Sequence, residues 1–101
     1  MTRDQIPTLS GKEGIVLELL RPQEMYGLQL VAESKGRLKR GTVYVTLGRM
    51  EEKGYVASRT EDPAPSAGGL PRRLYQMTGH GRRVLDAWTM LRQKLALEVG
   101  R

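Results

Sequence analysis

The hydrophobic pattern of the chain changes period once, at Gly54. Before it, apolar residues recur at helical spacing. After it, Tyr55-Val56-Ala57-Ser58-Arg59 and Arg73-Leu74-Tyr75-Gln76-Met77 alternate with the period of two that marks half-buried strands. Between them Glu61-Asp62-Pro63-Ala64-Pro65-Ser66-Ala67-Gly68-Gly69 is dense in turn formers, so the pair predicts a hairpin with a long tip. With 101 residues there is room for about one domain, and a catalytic domain joined to a separate regulatory domain does not fit. No internal repeat is present.

Helical patterns lie on both sides of the hairpin. Ser10-Gly11-Lys12-Glu13 has the S-x-x-E spacing in which a Ser hydroxyl and a Glu carboxylate satisfy each other's free backbone N–H groups. It predicts a first helix over about 11–21, with Ile15 and Leu19 beside Val16 and Leu20 as its stripe and Pro22 as its stop. Met25-Tyr26-Gly27 opens a short second helix in which Leu28, Val31 and Ala32 share a face, closed by Gly36. The basic run Arg37-Leu38-Lys39-Arg40-Gly41 leads to Thr42, the N-cap of a third helix with the stripe Val43, Leu47 and Met50. Thr78 caps a last helix reaching about Val99, where Val84, Trp88, Leu91 and Leu95 step by four, three and four, the spacing of a coiled-coil seam.

Charge narrows the partner. Seventeen Lys and Arg against eleven Asp and Glu give +6, and such an excess points to polyanions. Residues 1–20 sum to −1, 21–60 to +4, 61–69 to −2 and 70–101 to +5, so the positive field belongs to the middle and the last third. With no Cys there is neither a disulfide framework nor a thiolate metal site, and the one His, His80, cannot supply a His-rich site. No nucleophile, base and oxyanion constellation can be assembled, so His80 reads as a surface residue and neither an enzyme nor a cofactor is expected. The longest apolar run, Ile15-Val16-Leu17, is far below the roughly 18 residues of a membrane span, and the N-terminus lacks an apolar signal region. A cytoplasmic protein is expected.

Three helices, a hairpin and a last helix, with basic residues around the third helix and the hairpin, form the order of a winged helix-turn-helix DNA-binding domain. The fold class expected is mainly α with a small β-hairpin. Residues 1–78 would be the DNA-binding domain and 79–101 a dimerisation helix. The motifs themselves resemble a known family. Tyr26-Gly27, Gly41-Thr42-Val43-Tyr44 followed by Leu47, and Arg49-Met50-Glu51-Glu52-Lys53-Gly54 resemble the signature of PadR-like transcriptional regulators. So do Gly69, Pro71, Arg72 and Arg73 before Tyr75, and Met77-Thr78 with Gly81 at the entry to the last helix. The resemblance runs from about residue 10 to residue 90. Val45 departs from it where the family usually has Pro, and Leu70 where Arg is common before Pro71.

The third helix of such a domain enters the major groove, which is about as wide as a helix and distinguishes all four base pairs. Thr42, Thr46, Arg49 and Lys53 lie off its apolar stripe as candidates to face DNA, Arg49 for guanine and Val45 for a thymine methyl. The competing reading is a solvated face in which Arg49 pairs with Glu52, or Lys53 with Glu51. Tyr44 is a phosphate contact or a packing residue between the second and third helices. Lys39, Arg40, Arg72 and Arg73 are candidates to anchor phosphates. Val84, Leu85, Trp88, Leu91 and Leu95 are candidates for a homodimer seam, against the plainer role of covering the protomer's own core. The resemblance further implies that aromatic side chains near that seam, here Trp88, stack on a small planar effector. The resulting expectation is a homodimeric repressor of PadR type on a palindromic site in double-stranded DNA. The rival is a winged helix that only binds other proteins.

Overall fold

The computed structural model describes residues 7–61 and 72–99. The predicted hairpin tip, with Gly69, Leu70 and Pro71, lies outside them, as does the N-terminal end of the expected DNA-binding domain. Among the described residues the order is α1 (Gly11–Leu20), β1 (Met25–Tyr26), α2 (Gly27–Glu33), α3 (Val43–Glu52), β2 (Val56–Glu61), β3 (Arg72–Met77) and α4 (Gly79–Val99). The strands form an antiparallel sheet in the order β1-β3-β2. No helix among the described residues is long and apolar enough to cross a membrane.

Local signals set the first and third helices. The Ser10 backbone N–H donates to Glu13 Oε1 at 2.8 Å and the Glu13 N–H to Ser10 Oγ at 3.2 Å, the reciprocal cap that the spacing predicts. Val43, Leu47 and Met50 of α3 are buried as their stripe requires. The α3 end is a Schellman turn: the Tyr55 N–H bonds the Met50 carbonyl at 2.8 Å and the Gly54 N–H that of Glu51 at 3.0 Å. That turn needs a left-handed residue, and Gly54 supplies it with φ 79°.

Three sequence expectations change. Met25 and Tyr26 form β1 instead of opening α2, because they pair with Tyr75 and Leu74, partners about fifty residues away that no local pattern can reveal. On α1 the deeply buried residues are Val16, Leu17 and Leu20, while Ile15 and Leu19 pack only at the margin. On α2 the buried face is Gly27 and Leu30, continued by the C-cap Ser34, with Leu28 and Ala32 exposed. Glycine and serine carry no apolar signal, so this face is silent in a hydrophobicity pattern.

The core joins α1, Leu30, Leu38, the α3 stripe, Tyr55, Val56, Tyr75, Val84 and Leu85. Its tightest point is where α4 crosses Tyr55. Thr78 Oγ1 donates to the Gly54 carbonyl at 2.5 Å and accepts the Gly81 N–H at 2.9 Å, so the α4 cap also fastens the end of α3. The Thr78 N–H reaches the Tyr55 carbonyl at 3.0 Å. A Cβ at Gly81 would collide with that carbonyl oxygen and lie 3.0 Å from its carbon, both backbone atoms that cannot turn aside. Gly81→Ala is therefore expected to destabilise by about 3 kcal/mol, and to lower Tm by more than about 10 °C. Gly11→Ala, where a Cβ meets nothing within 4 Å, should be neutral or slightly stabilising. Thermal melts of the two variants check both expectations.

Candidate nucleic-acid interface

A buried serine builds the turn between α2 and α3. Ser34, fully buried, donates its hydroxyl to the Val31 carbonyl at 2.8 Å and accepts the Leu38 N–H at 2.9 Å. Leu38 plugs into the core behind it. This leaves Lys39 and Arg40 exposed at the entrance to α3, where the Lys39 carbonyl accepts the Thr42 and Val43 N–H groups at 3.1 and 2.9 Å. Thr42 stands at the N-cap position, but its side chain makes no capping bond.

The buried stripe of α3 fixes what its other residues face. At 100° per residue Val45, Gly48, Arg49 and Glu52 lie opposite Val43, Leu47 and Met50 and are exposed. Val45 keeps 59% of its surface exposed, a large apolar side chain left in water. Gly48 was not singled out by the sequence. A Cβ there meets nothing within 4 Å, so packing does not require glycine, which weakens a helix interior by roughly 1 kcal/mol. That mismatch between a helix breaker and an open site is the signal that could have found it.

Both flanks of α3 are tied down. On one, Lys53 Nζ bonds Glu13 Oε2 at 2.8 Å and Oε1 at 3.1 Å, and the Tyr55 hydroxyl reaches the Thr8 carbonyl at 2.7 Å. Burial would raise the Glu13 pKa, but the Lys53 ammonium and the Ser10 N–H outweigh it and hold the carboxyl below its ordinary value. Lys53, expected to face DNA or to pair with Glu51, is instead tied to Glu13 at the α1 cap, with its side chain still partly exposed. Thr46, on the same flank, returns its hydroxyl to the Thr42 carbonyl at 3.2 Å. On the opposite flank Glu51 accepts the Ser58 hydroxyl at 2.7 Å, and Ser58 Oγ accepts from Arg73 Nη1 at 3.0 Å. Tyr44, half exposed, lies over Gly27, where a Cβ would come within 2.5 Å of its ring carbon Cε1. Gly27 is therefore required for the phenol to take this place.

The wing arginines separate. Adjacent strand residues point to opposite faces, so Arg73 turns toward Ser58 and α3 while Arg72 lies on the other face, over the Tyr26 ring. Both also line an open cleft of about 650 Å³, together with Tyr26, Gly27, Gln29 and Tyr44. Lys39, Arg40, Tyr44, Val45, Arg49, Arg72 and Arg73 are all exposed.

On α4 the expected seam also divides. Val84 and Leu85 are buried in the protomer's own core, and Trp88 packs against that core at its margin. Leu91 and Leu95 are about half exposed, and Met90 and Leu97 more so. Arg21 pairs with Asp86 at 2.9 Å and Arg92 with Glu18 at 3.7 Å, which accounts for one of the cations on this helix as a link to α1.

A helix-turn-helix whose second helix presents a free outer face, followed by an antiparallel wing, defines the winged helix-turn-helix class. The family model described as Transcriptional regulator PadR-like family matches residues 16–87, and the chain belongs to that family. Among solved structures it is similar to a PadR family transcriptional regulator from Eggerthella lenta. The two share 32% identity with a TM-score of 0.71, over 86% of this chain and 76% of that one. It is also similar to a PadR family transcription regulator from Clostridium difficile, at 26% identity and a TM-score of 0.70, over 87% of this chain and 96% of that one. The fold matches Bacillus subtilis PadR, solved in complex with operator DNA, at 22% identity and a TM-score of 0.73, over 81% of this chain and 48% of that one. Among curated protein sequences none matches.

The two α3 cations should separate in a mutational test. Lys53→Ala leaves a buried carboxylate without its partner and is expected to lower stability by about 1–2 kcal/mol, allowing for the solvent around Lys53. It should leave affinity for duplex DNA nearly unchanged. Arg49→Ala should do the reverse, and paired chemical-denaturation and DNA-titration measurements read both effects.

Proposed function

We propose that the chain is a homodimeric transcriptional repressor that binds a palindromic operator, inserting α3 into the major groove and laying the wing along the adjacent backbone. The observation that carries the reading is that Val45 and Arg49 are exposed on the free face of α3, with the exposed cations Lys39 and Arg40 just ahead of that helix and Arg72 and Arg73 on the wing strand. Arg49 suits a bidentate contact to guanine and Val45 an apolar contact to a thymine methyl. Gly48 between them lets the helix backbone approach the base edges. Thr42, Tyr44 and Thr46 serve at the rim, with the Tyr44 hydroxyl toward phosphate. That Bacillus subtilis PadR was solved with operator DNA on the same fold supports this assignment.

The second protomer is assigned to α4. Its 21 residues span roughly 31 Å, and its exposed Leu91 and Leu95 continue the line of Val84 and Trp88 beyond the body of the domain. Pairing two such helices about a two-fold axis places the recognition helices for half-sites about one helical turn apart, roughly 34 Å. Trp88 borders a mostly apolar cleft of about 390 Å³ with Pro7, His80, Arg83, Ala87 and Leu91. A small planar effector stacking there would act by preferring a dimer geometry with the wrong helix spacing.

Two measurements expose the reading. Replacing Arg72 and Arg73 together with Ala should weaken binding to all sequences and flatten the dependence of log K on log salt by up to about two units; an unchanged slope removes them from the interface. Leu91→Asp with Leu95→Asp should convert dimer to monomer in sedimentation without loss of helicity, since both side chains are exposed in the protomer. A variant that stays dimeric moves the interface elsewhere.

A further inference from the structure

The outer face of the sheet carries a polar cluster that the reading above does not use. Tyr26 pairs with Leu74 across β1 and β3, and Glu61 with Arg72 across β2 and β3. Directly opposed residues share a face, as do residues two apart on one strand, so Tyr26, Leu74, Arg72 and Glu61 all project from the same side. The Arg72 guanidinium carbon lies 4.8 Å from the centroid of the Tyr26 ring. The Tyr26 hydroxyl donates to Glu61 Oε1. Glu24, the next carboxylate on this side, is taken by Arg59 at 2.8 Å.

Each contact constrains the next. The Tyr26 backbone is fixed by its strand pairing and by its N–H bond to Gln29 Oε1 at 3.2 Å, and its ring is fixed at the far end by Glu61. Donation to a carboxylate also enriches the ring's π-face, which favours a cation over it. Arginine otherwise carries rotamer entropy that an anion must quench on binding. A cation–π contact occupies no hydrogen-bond acceptor, so the guanidinium N–H groups remain to match two phosphate oxygens at once.

We infer that Tyr26 is a positioning residue for DNA binding: its ring, fastened by Glu61, holds Arg72 ready for the phosphate backbone. Tyr26 acts through Arg72 and does not itself touch DNA. The inference rests on the reading of the wing as a DNA contact.

A double-mutant cycle on the full chain, titrated into a mixed-sequence DNA duplex at low salt, tests it. Arg72→Ala should weaken binding several-fold, and Tyr26→Leu by about two- to five-fold. The double variant should be no weaker than Arg72→Ala alone, and Tyr26→Phe, which keeps the ring, should restore most of the loss. In the free protein, the side-chain protons of Arg72 should show an upfield ring-current shift that survives in Tyr26→Phe and vanishes in Tyr26→Leu. If the two single losses multiply in the double variant, Tyr26 does not act through Arg72 and the proposal fails. If Arg72→Ala binds as the parent does, the wing reading fails at Arg72 and takes the proposal with it, whatever the ring-current shift shows. Should Tyr26→Leu not fold, the unmodified protein decides: absence of the shift there overturns the platform.

Discussion

The meeting of three elements on the backbone of Tyr55 is the constraint from which the rest of the molecule takes its shape. The Tyr55 N–H closes α3, its carbonyl receives Thr78 at the start of α4, and its hydroxyl reaches back to Thr8 ahead of α1. Gly81 allows α4 to lie against this one peptide unit, an approach no side chain would permit. α3, the sheet and α4 therefore leave a common point at fixed angles. A fixed angle between α3 and α4 is what the proposed dimer needs if the distance between two half-sites is to carry information.

Around that point much of the charge has a structural task. Lys53 with Glu13, Arg21 with Asp86, Arg59 with Glu24 and Arg92 with Glu18 join elements that are distant in sequence. Only the first involves a deeply buried partner; exposed pairs contribute at most about 1 kcal/mol each. What these pairs do is give four cations carboxylate partners within the protomer. The excess that remains is concentrated in the turn before α3, at Arg49 and on the wing, with Arg82, Arg83 and Lys94 on α4 lacking a comparable assignment.

Those features of the fold and site that depend on neighbours in sequence were legible before any coordinates. The Ser10 and Glu13 cap, the Val43, Leu47 and Met50 stripe and the Thr78 cap each need only residues within one or two turns. The strand β1 was not legible, since two residues have no period and their partners lie in β3. Nor was the fate of Lys53, because Glu13 is forty residues away and a lysine at that helical angle looks solvated. Val84 and Leu85 were grouped with Leu91 and Leu95 because one helical stripe joins them. The stripe gives the side of the helix but not where the domain beneath it stops, and the body covers only its first part.

Arg72 and Arg73 are adjacent in sequence yet serve different faces of one strand, the first on Tyr26 and the second toward Ser58 and Glu51. Their roles are set by parity, counted from the Met25 and Tyr75 pairing. A single inserted or deleted residue in β3 would exchange the two arginines and disconnect both from their supports. A change of two would keep each on its own side. β3 can thus change in length only in even steps if each arginine is to keep its side.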